Sequence, residues 1–285
     1  MEWLNRLNDA LDYLEANLTG EIDLEHTARL AACSQFHFQR MFTYIAGVPL
    51  GEYLRRRRMT LAALMLTSGD AKVIDLAVLF GYDSPTAFNR AFQSVHGVPP
   101  SRAREAGVRL TAYPRISFTL SVKGETSMNY RIETMEGFRI VGMKTTLPMD
   151  VEQSFMEVPK FWMQSTPRVP ELLPLAAGMP HGLLGVSTCM GGPTFDYYIA
   201  VASGAPVPTG MAEYHVPAGT WAIFECVGPM PEAMQTLQKR VVTEWLPTSG
   251  YEYANAPDIE AYFEGDQRAA DCRCEAWLPI VKKAQ

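Results

Sequence analysis

The N-terminal part of the chain contains an internal repeat at an offset of 50 residues. Nine residues beginning at Ser34, SQFHFQRMF, align with nine beginning at Ser84, SPTAFNRAF, and the match extends to a Gly-Val-Pro sequence after each. Seven identities in one register over 16 positions indicate one supersecondary unit that is used twice. The repeat therefore predicts two copies of a small helical motif within the first 110 residues.

Each copy has the pattern of a helix, a short turn and a second helix. The first helices are predicted over residues 22–32 and 72–80, and Ser34 and Ser84 are placed to cap the second helices. Large apolar residues at spacings of four and three predict the core face of each second helix. These core residues are Phe38, Phe42 and Ile45 in the first copy and Phe88, Phe92 and Val95 in the second.

The opposite face of each second helix carries side chains that can recognise base edges. Arginine can bond guanine through two hydrogen bonds, and glutamine or asparagine can do the same for adenine. A single helix of this kind fits a solvated face equally well, but the same arrangement on two helices favours DNA. The face contains Phe36, Gln39, Arg40 and Thr43 in the first copy and Thr86, Asn89, Arg90 and Gln93 in the second.

A helix is predicted between the copies, over residues 49–67. At this length it would span about 27 Å, which approaches the ~34 Å between successive major-groove faces of B-DNA. One chain could therefore place both second helices on one side of a duplex.

The linking helix contains four consecutive arginines, Arg55 to Arg58. They cannot all face one way, so we expect some, including Arg55 and Arg56, to contact phosphate. Arg55 or Arg58 is expected to pair with an acidic residue such as Glu52 or Asp75. A solvated charged patch is the alternative interpretation.

The net charge of −6 and the pI near 5.5 argue, taken alone, against a nucleic-acid partner. The charge is unevenly distributed, however, because residues 1–110 are net neutral and the whole acidic excess lies in residues 111–285. Residues 34–58 carry a net charge of +4 and residues 84–109 a net charge of +3. The predicted DNA-reading segments are therefore basic.

The segment from Trp3 to Arg109 resembles the DNA-binding domain of AraC/XylS-type regulators. The resemblance is carried by GYDSPTAFNRAF from Gly81 and by GVPPS from Gly97. It implies seven helices, with two helix-turn-helix units and a linking helix. Pro85 occupies a position that is polar in some members; it fits a first helical turn but offers no hydrogen bond, so weaker base reading is expected there. The base-reading positions implied by the family are Phe36, Gln39, Arg40, Thr86, Asn89 and Arg90.

The rest of the chain has a different pattern, and 16 of the 20 prolines lie after residue 110. We predict an all-α domain over residues 1–110, a linker over 111–127 and an α+β domain over 128–285. Within the last domain the order β-β-α-β-β occurs twice. The first unit has strands near residues 130–133, 137–142, 183–187 and 197–201 and a helix at 151–164; the second has strands near 214–216, 219–224, 259–262 and 275–280 and a helix at 231–245.

This C-terminal part is similar to the GyrI-like small-molecule-binding domain. The resemblance is carried by VPAGTWAIF from Val216, EWLP from Glu244, IEAY from Ile259 and WLPI from Trp277. It implies an aromatic pocket with a central acid, which falls on Glu260. Such a pocket attracts organic cations through Coulomb and cation–π interactions. The expected walls are Tyr262, Trp221, Trp162, Tyr197 and Trp245, with Phe161 and Tyr198 as further candidates; for any one tryptophan a core position is the alternative.

Together these features predict a cytoplasmic, ligand-responsive transcription regulator that binds promoter DNA and a small lipophilic or cationic effector. A protein that acts at promoters can also contact RNA polymerase. We expect no catalytic residue, cofactor, metal or membrane association. Two alternatives stay open for the C-terminal domain: a small-molecule hydrolase with Glu260 as general base, or a protein-interaction module.

Overall fold

The computed structural model describes residues 2–118, 127–149, 151–188 and 194–283. The chain forms two compact units, which are described separately below. Unit 1 comprises Met1–Ala31 and Ala46–Thr119, and unit 2 comprises Ala32–Ile45 and Leu120–Gln285. This division differs in one respect from the predicted domains, because the segment 32–45 belongs to the unit that contains the C-terminal part.

Unit 1 is helical, as the sequence predicts. Within its described residues the helices are α1 (Glu2–Ala16), α2 (Leu24–Leu30), α4 (Leu50–Ser68), α5 (Val73–Leu79) and α6 (Pro85–His96), followed by a 3₁₀ turn at Pro100–Arg102. Helix α6 begins where the sequence indicates, since Ser84 Oγ accepts a hydrogen bond from the backbone N–H of Ala87 at 3.2 Å. It ends at Gly97, whose φ of +75° is the left-handed conformation that glycine adopts readily.

The apolar face of α6 forms the core of unit 1. Phe88 and Phe92 are fully buried and pack with Met59 of α4 and Phe80 after α5. Burying each phenylalanine contributes roughly 1.5–3 kcal/mol. The core face predicted from the spacing of the repeat is therefore confirmed for the second copy.

The first residues of the predicted linker are held on unit 1. The backbone N–H of Tyr113 donates to Thr60 Oγ1 at 3.0 Å, and Arg57 Nη1 donates to the Tyr113 carbonyl at 2.6 Å. Asn8 bonds both backbone groups of Phe118, at 3.0 and 3.1 Å. Residues 119–126 of the predicted linker lie outside the described residues.

Unit 2 combines helix α3 (Gln35–Ala46, up to Ile45) with a nine-stranded antiparallel sheet. The strands are β1 (Tyr130–Met135), β2 (Phe138–Pro148), β3 (Leu183–Ser187), β4 (Thr194–Ala202), β5 (Ala212–Val216), β6 (Gly219–Val227), β7 (Tyr251–Tyr253), β8 (Asp258–Tyr262) and β9 (Arg273–Lys282). The helices of the sheet domain are α7 (Val151–Ser165), α8 (Val169–Leu172) and α9 (Glu232–Arg240), the last continued by a π-helical turn to Trp245.

The sheet has the internal symmetry that the repeated β-β-α-β-β order predicts. Its strand order is β1-β6-β9-β8-β3-β4-β2-β5, with β7 paired to β9. The first strand of each half pairs with the other half, since β1 joins β6 and β5 joins β2. The two halves meet at the β3–β8 pair, where Gly185 lies opposite Glu260. A helical domain and an α+β domain are therefore confirmed.

Candidate ligand cavity and nucleic-acid interface

A cavity of about 1040 Å³ lies within unit 2, lined by residues of α3, α7, α9 and strands β3, β4 and β8. This volume is at the upper end of the range for small-molecule sites. Most of the side chains around it are apolar or aromatic. The residues that determine its chemistry are Phe36, Trp162, Phe195, Tyr197, Glu260 and Tyr262.

In the part of the chain that the structure describes, two carboxylates line this cavity: Glu260, which is partly buried beside the aromatic rings, and Glu264, which is exposed. Glu260 Oε1 accepts a hydrogen bond from Gln238 Nε2 at 2.6 Å, and its Oε2 accepts one from the Tyr262 hydroxyl at 2.7 Å. Strand alternation places Glu260 and Tyr262 on one face of β8, whereas Ile259 and Ala261 pack in a core cluster. The Glu260 carboxylate is thus oriented by two neutral donors, and none of these hydrogen bonds cancels its charge.

The aromatic walls are tied to one another and to Glu260. Trp162 Nε1 donates to the Tyr197 hydroxyl at 2.9 Å, and the Trp162 ring meets the Tyr262 ring edge-on with centroids 5.2 Å apart. Burial raises the pKa of Tyr197 and of Tyr262 well above the ordinary value, and the charge of Glu260 raises both further. Both phenols therefore stay neutral and keep their protons for hydrogen bonds.

A glycine on the neighbouring strand makes room for this cluster. A Cβ atom at Gly185 would lie 2.5 Å from the Tyr197 hydroxyl and 3.3 Å from Glu260 Oε2. Any side chain there would displace the phenol or the acid. Gly185 is a site residue that the sequence did not single out.

Two of the tryptophans expected in the walls lie elsewhere. Trp221 is fully buried in a core cluster, and its Nε1 donates to the Pro257 carbonyl at 3.2 Å. Trp245 packs edge-on against Phe224 at 5.0 Å in a second core cluster. Both positions are explained by aromatic packing in the sheet domain, so the structure places these two rings in the core and not at the cavity.

The two further candidates also lie outside the principal lining of the cavity. Tyr198 points away from it, into a core cluster, because its neighbour Tyr197 occupies the cavity face of β4. Phe161 is not among the lining residues, and its ring meets that of the cavity residue Tyr197 edge-on, with ring centroids 6.3 Å apart. Of the predicted walls, Tyr262, Trp162 and Tyr197 therefore surround Glu260.

Helix α3 is anchored within unit 2 by a buried carboxylate at the start of β8. Asp258 Oδ2 accepts hydrogen bonds from His37 Nε2 and from Arg40 Nη1, each at 2.9 Å. Burial would raise the pKa of Asp258, but its interactions with His37 and Arg40 outweigh burial and hold that pKa below its ordinary value. The anchor is thus an ionised acid that bonds the Arg40 guanidinium and the His37 ring.

Further contacts of α3 flank this ionic cluster. The Phe36 ring lies 4.8 Å from the Phe195 ring in the cavity wall, and the His37 ring stacks on Tyr253 at 4.2 Å. The Tyr44 hydroxyl donates to Gln238 Oε1 at 2.8 Å. Gln238 therefore connects α3 to the central acid, since its amide nitrogen bonds Glu260.

The predicted base-reading side chains of α3 and α6 are in opposite environments. Phe36 is only 5% exposed and the Arg40 side chain only 14%, while Gln39 and Thr43 are partly buried. On α6, all four corresponding side chains are exposed. These are Thr86, Asn89, Arg90 and Gln93.

The arginines of α4 make contacts within unit 1. Glu52 accepts from Arg55 Nε at 2.7 Å and from Arg56 Nε at 2.5 Å, as expected for Arg55. Arg57 forms a two-pronged ion pair with Glu15, and Arg58 bonds the backbone carbonyls that follow α1 instead of an acid. Arg55 and Arg56 keep about a third of their side-chain surface exposed, so contact with phosphate stays a prediction.

Asp258 and Gln238 were not predicted from the sequence, although strand alternation could have identified Asp258. Asp258 lies two residues before Glu260, and strand alternation puts both on one face of β8. Gln238 had no such signal, because its role depends on how α9 packs.

Among the described residues, no group of three or more His, Cys, Asp or Glu side chains is arranged to hold a metal ion. None of the helices described is long and apolar enough to cross a membrane.

A second helix-turn-helix with an exposed polar face, together with an acid-centred aromatic cavity, defines a DNA-binding regulator with a small-molecule-binding domain. The chain belongs to the GyrI-like small molecule binding domain family, whose model matches residues 128–281. A helix-turn-helix domain model of the AraC type matches residues 27–106.

Two relatives of this chain are a transcriptional activator and an origin-binding protein. The N-terminal part is 38% identical over 98 residues to the HTH-type transcriptional activator AarP of Providencia stuartii, covering 34% of this chain and 73% of that protein. The right origin-binding protein of Escherichia coli K12 is 25% identical over 98% of this chain and 99% of its own length. These names favour a regulator over an enzyme.

A solved structure shares the fold of the C-terminal domain. SAV2435, solved bound to tetraphenylphosphonium, aligns with 54% of this chain and 94% of its own, with 22% identity and a TM-score of 0.50.

Proposed function

We propose that this regulator binds lipophilic organic cations in the cavity around Glu260 and reads promoter DNA with the exposed face of α6. The observation that carries the ligand class is the Glu260 carboxylate, which is held by two neutral donors within an aromatic cavity. RNA polymerase remains a predicted partner of a promoter-bound regulator.

The chemistry of the cavity matches a delocalised cation surrounded by apolar groups. A unit charge about 4 Å from a carboxylate gains roughly 4 kcal/mol at an effective dielectric constant near 20. Each favourable ring face adds about 0.5–2 kcal/mol. Tetraphenylphosphonium, the ligand of the structurally similar SAV2435, combines one positive charge with four aromatic rings. It is therefore the probe that we would use first.

Calorimetric titration with tetraphenylphosphonium tests the ligand class. We expect the wild type to bind and Glu260→Gln to bind at least about tenfold more weakly, because the carboxylate charge is lost while the shape is kept. Glu136→Gln removes the same charge from an exposed turn between β1 and β2 and should bind like the wild type. Neutral triphenylphosphine oxide should bind more weakly than the cation. Equal binding by Glu260→Gln and wild type would contradict the proposal.

The exposed face of α6 supports DNA reading because its Arg90 and Asn89 are the residue types that pair with guanine and adenine. The test uses duplexes that the full-length protein selects from a random pool. Arg90→Ala should lower specific affinity by about 5- to 150-fold, equivalent to about 1–3 kcal/mol, and relax the preference at one base pair. Arg268→Ala, which removes an exposed arginine from a loop of unit 2, is the matched control. Unchanged selection by Arg90→Ala would refute this assignment.

A further inference from the structure

Helix α3 brings to unit 2 the two kinds of group that the proposed ligand would bring. Phe36 contributes an aromatic ring to the cavity wall, where it contacts Phe195. One helical turn later, Arg40 contributes a cation that also lines the cavity and bonds Asp258. An aromatic ring beside a delocalised cation is the chemistry of a lipophilic cation.

The acid that holds α3 lies two residues before the acid proposed to bind the ligand. Asp258 and Glu260 lie on one face of β8, and the charge of Glu260 also acts on Arg40. Gln238 donates to Glu260 and accepts from Tyr44 of α3. A cation that binds Glu260 therefore repels Arg40 and competes for the oxygen that Gln238 now bonds. The same groups cannot hold both cations equally well.

We propose that α3 forms a displaceable wall of the cavity, and that a lipophilic cation entering beside Glu260 displaces this helix and exposes its DNA-reading face. This inference rests on the proposed function, since it adds regulation to the same cavity. Without a cation, Phe36 and Arg40 are buried and α6 alone reads DNA. With a cation, both second helices read, and the protected DNA lengthens by about one helical turn, roughly 10 base pairs.

The displacement also makes ligand affinity depend on the state of α3. A ligand that needs a released α3 binds with an apparent affinity reduced by the fraction of molecules in which α3 is released. Variants that loosen α3 without touching Glu260 should therefore bind the cation more tightly. Because coupling between two ligands is reciprocal, DNA that binds the released α3 should also increase the affinity of the protein for the cation.

The experiment compares the full-length wild type, with and without tetraphenylphosphonium, and Asp258→Asn without it. Asp258→Asn removes the anchor of α3 but leaves every side chain of α3 intact. Two readouts report release: the length of the DNA footprint and the alkylation rate of Cys33, measured on its peptide by mass spectrometry. Cys33 lies just before α3, and burial raises the pKa of its thiol, which slows its alkylation while α3 is held. Cys226, whose burial raises its pKa to about 11, is the internal reference.

We expect the probe and Asp258→Asn each to lengthen the footprint by about 10 base pairs and to speed Cys33 alkylation at least about tenfold, because this partly buried thiol becomes exposed. Gln238→Met removes the hydrogen bond with Tyr44 at a partly buried position, so it should change both readouts in the same direction but by less. This variant tests the proposal if Asp258→Asn does not fold. Glu136→Gln should behave like the wild type.

Two results would overturn the inference in distinguishable ways. If calorimetry shows that the probe binds while Cys33 and the footprint stay unchanged, α3 is not displaced and the proposed function alone survives. If the probe does not bind at all, the proposed ligand class fails, and displacement by a cation fails with it. Wild-type behaviour of folded Asp258→Asn and of Gln238→Met would show that these contacts do not hold α3.

Discussion

Helices α3 and α6 come from two copies of one sequence motif but have opposite surroundings. Both begin at a serine that caps the helix, and both carry an arginine six residues later, Arg40 and Arg90. The Arg40 side chain bonds a buried aspartate, whereas Arg90 is exposed. A repeat thus specifies local structure, while the environment of each copy is decided by residues far away in the sequence.

The difference also separates two uses of the same residue types. On α6, arginine and asparagine extend into solvent, where they can meet base edges. On α3, arginine and an aromatic ring line a cavity, and the arginine bonds an acid that lies 218 residues away in the sequence. Substitutions at aligned positions should therefore lower the stability of the protein when they are made in α3 and leave it nearly unchanged when they are made on the exposed face of α6. Each pair of variants below tests this difference.

The largest expected difference is at aligned positions 36 and 86. Phe36→Ala removes a buried ring that contacts Phe195, so it should lower the free energy of unfolding by about 3–5 kcal/mol. Thr86→Ala alters an exposed side chain and should stay within about 0.5 kcal/mol of the wild type. Urea unfolding of both full-length variants measures the difference. Similar losses for the two would mean that α3 is not packed as described.

The arginines form the next pair. Arg40→Ala leaves Asp258 buried with one partner fewer, and removing one member of a buried ion pair costs about 3–5 kcal/mol. Detachment of α3 into water limits the loss, so we expect a value at or below the lower end of that range. Arg90→Ala should leave stability unchanged to within about 0.5 kcal/mol. The free energies of unfolding of both variants should be measured at the same salt concentration. Destabilisation by Arg90→Ala would contradict the placement of Arg90 on a solvated face.

The different surroundings of α3 and α6 could be predicted from the sequence only in part. Periodicity and capping residues predicted α6 and its core residues Phe88 and Phe92, and alternation placed Glu260 and Tyr262 on one face of β8. Those features depend on neighbours within one element. The burial of Arg40 depends on a contact with Asp258, which local patterns do not encode.

The aromatic residues show the same limit. Trp162 and Trp221 have equal hydrophobicity, yet one lines the cavity and the other fills the core. Only the packing of α7 and β6 in the sheet domain separates them. Resemblance to a family predicted Glu260 as the central acid, and Glu260 does line the cavity, but composition could not tell which aromatic rings lie beside it.

The capping serines form a pair with a smaller effect. Ser84→Ala should cost about 1 kcal/mol, the usual loss for an N-cap hydroxyl. Ser34 has an additional role, because its hydroxyl shares a 2.8 Å hydrogen bond with Nδ1 of His37, which orients the ring toward Asp258. Ser34→Ala should therefore cost more than Ser84→Ala. Thermal unfolding with Ser34→Thr and Ser84→Thr as rescue controls tests this; a larger loss for Ser84→Ala would contradict it.

The last comparison is between the acid sensitivities of α3 and α6, and it concerns the ionised Asp258 that anchors α3. We expect this difference to be smallest at neutral pH and to increase as the pH falls. The pKa of Asp258 is lowered in the folded protein, so the charged acid contributes stability that is fully present above its unfolded pKa, about 3.9. That contribution is lost as pH falls through the lower folded value. The titratable groups that interact with Asp258 are His37, Arg40 and two neutral phenols, Tyr253 and Tyr44. Hydrogen exchange of residues 35–45, corrected for its intrinsic pH dependence, should therefore accelerate below about pH 4 more in the wild type than in Asp258→Asn. Residues 85–96 have no comparable anchor among their exposed polar side chains and serve as the internal control. Equal acid sensitivity of the two helices would show that Asp258 does not distinguish them.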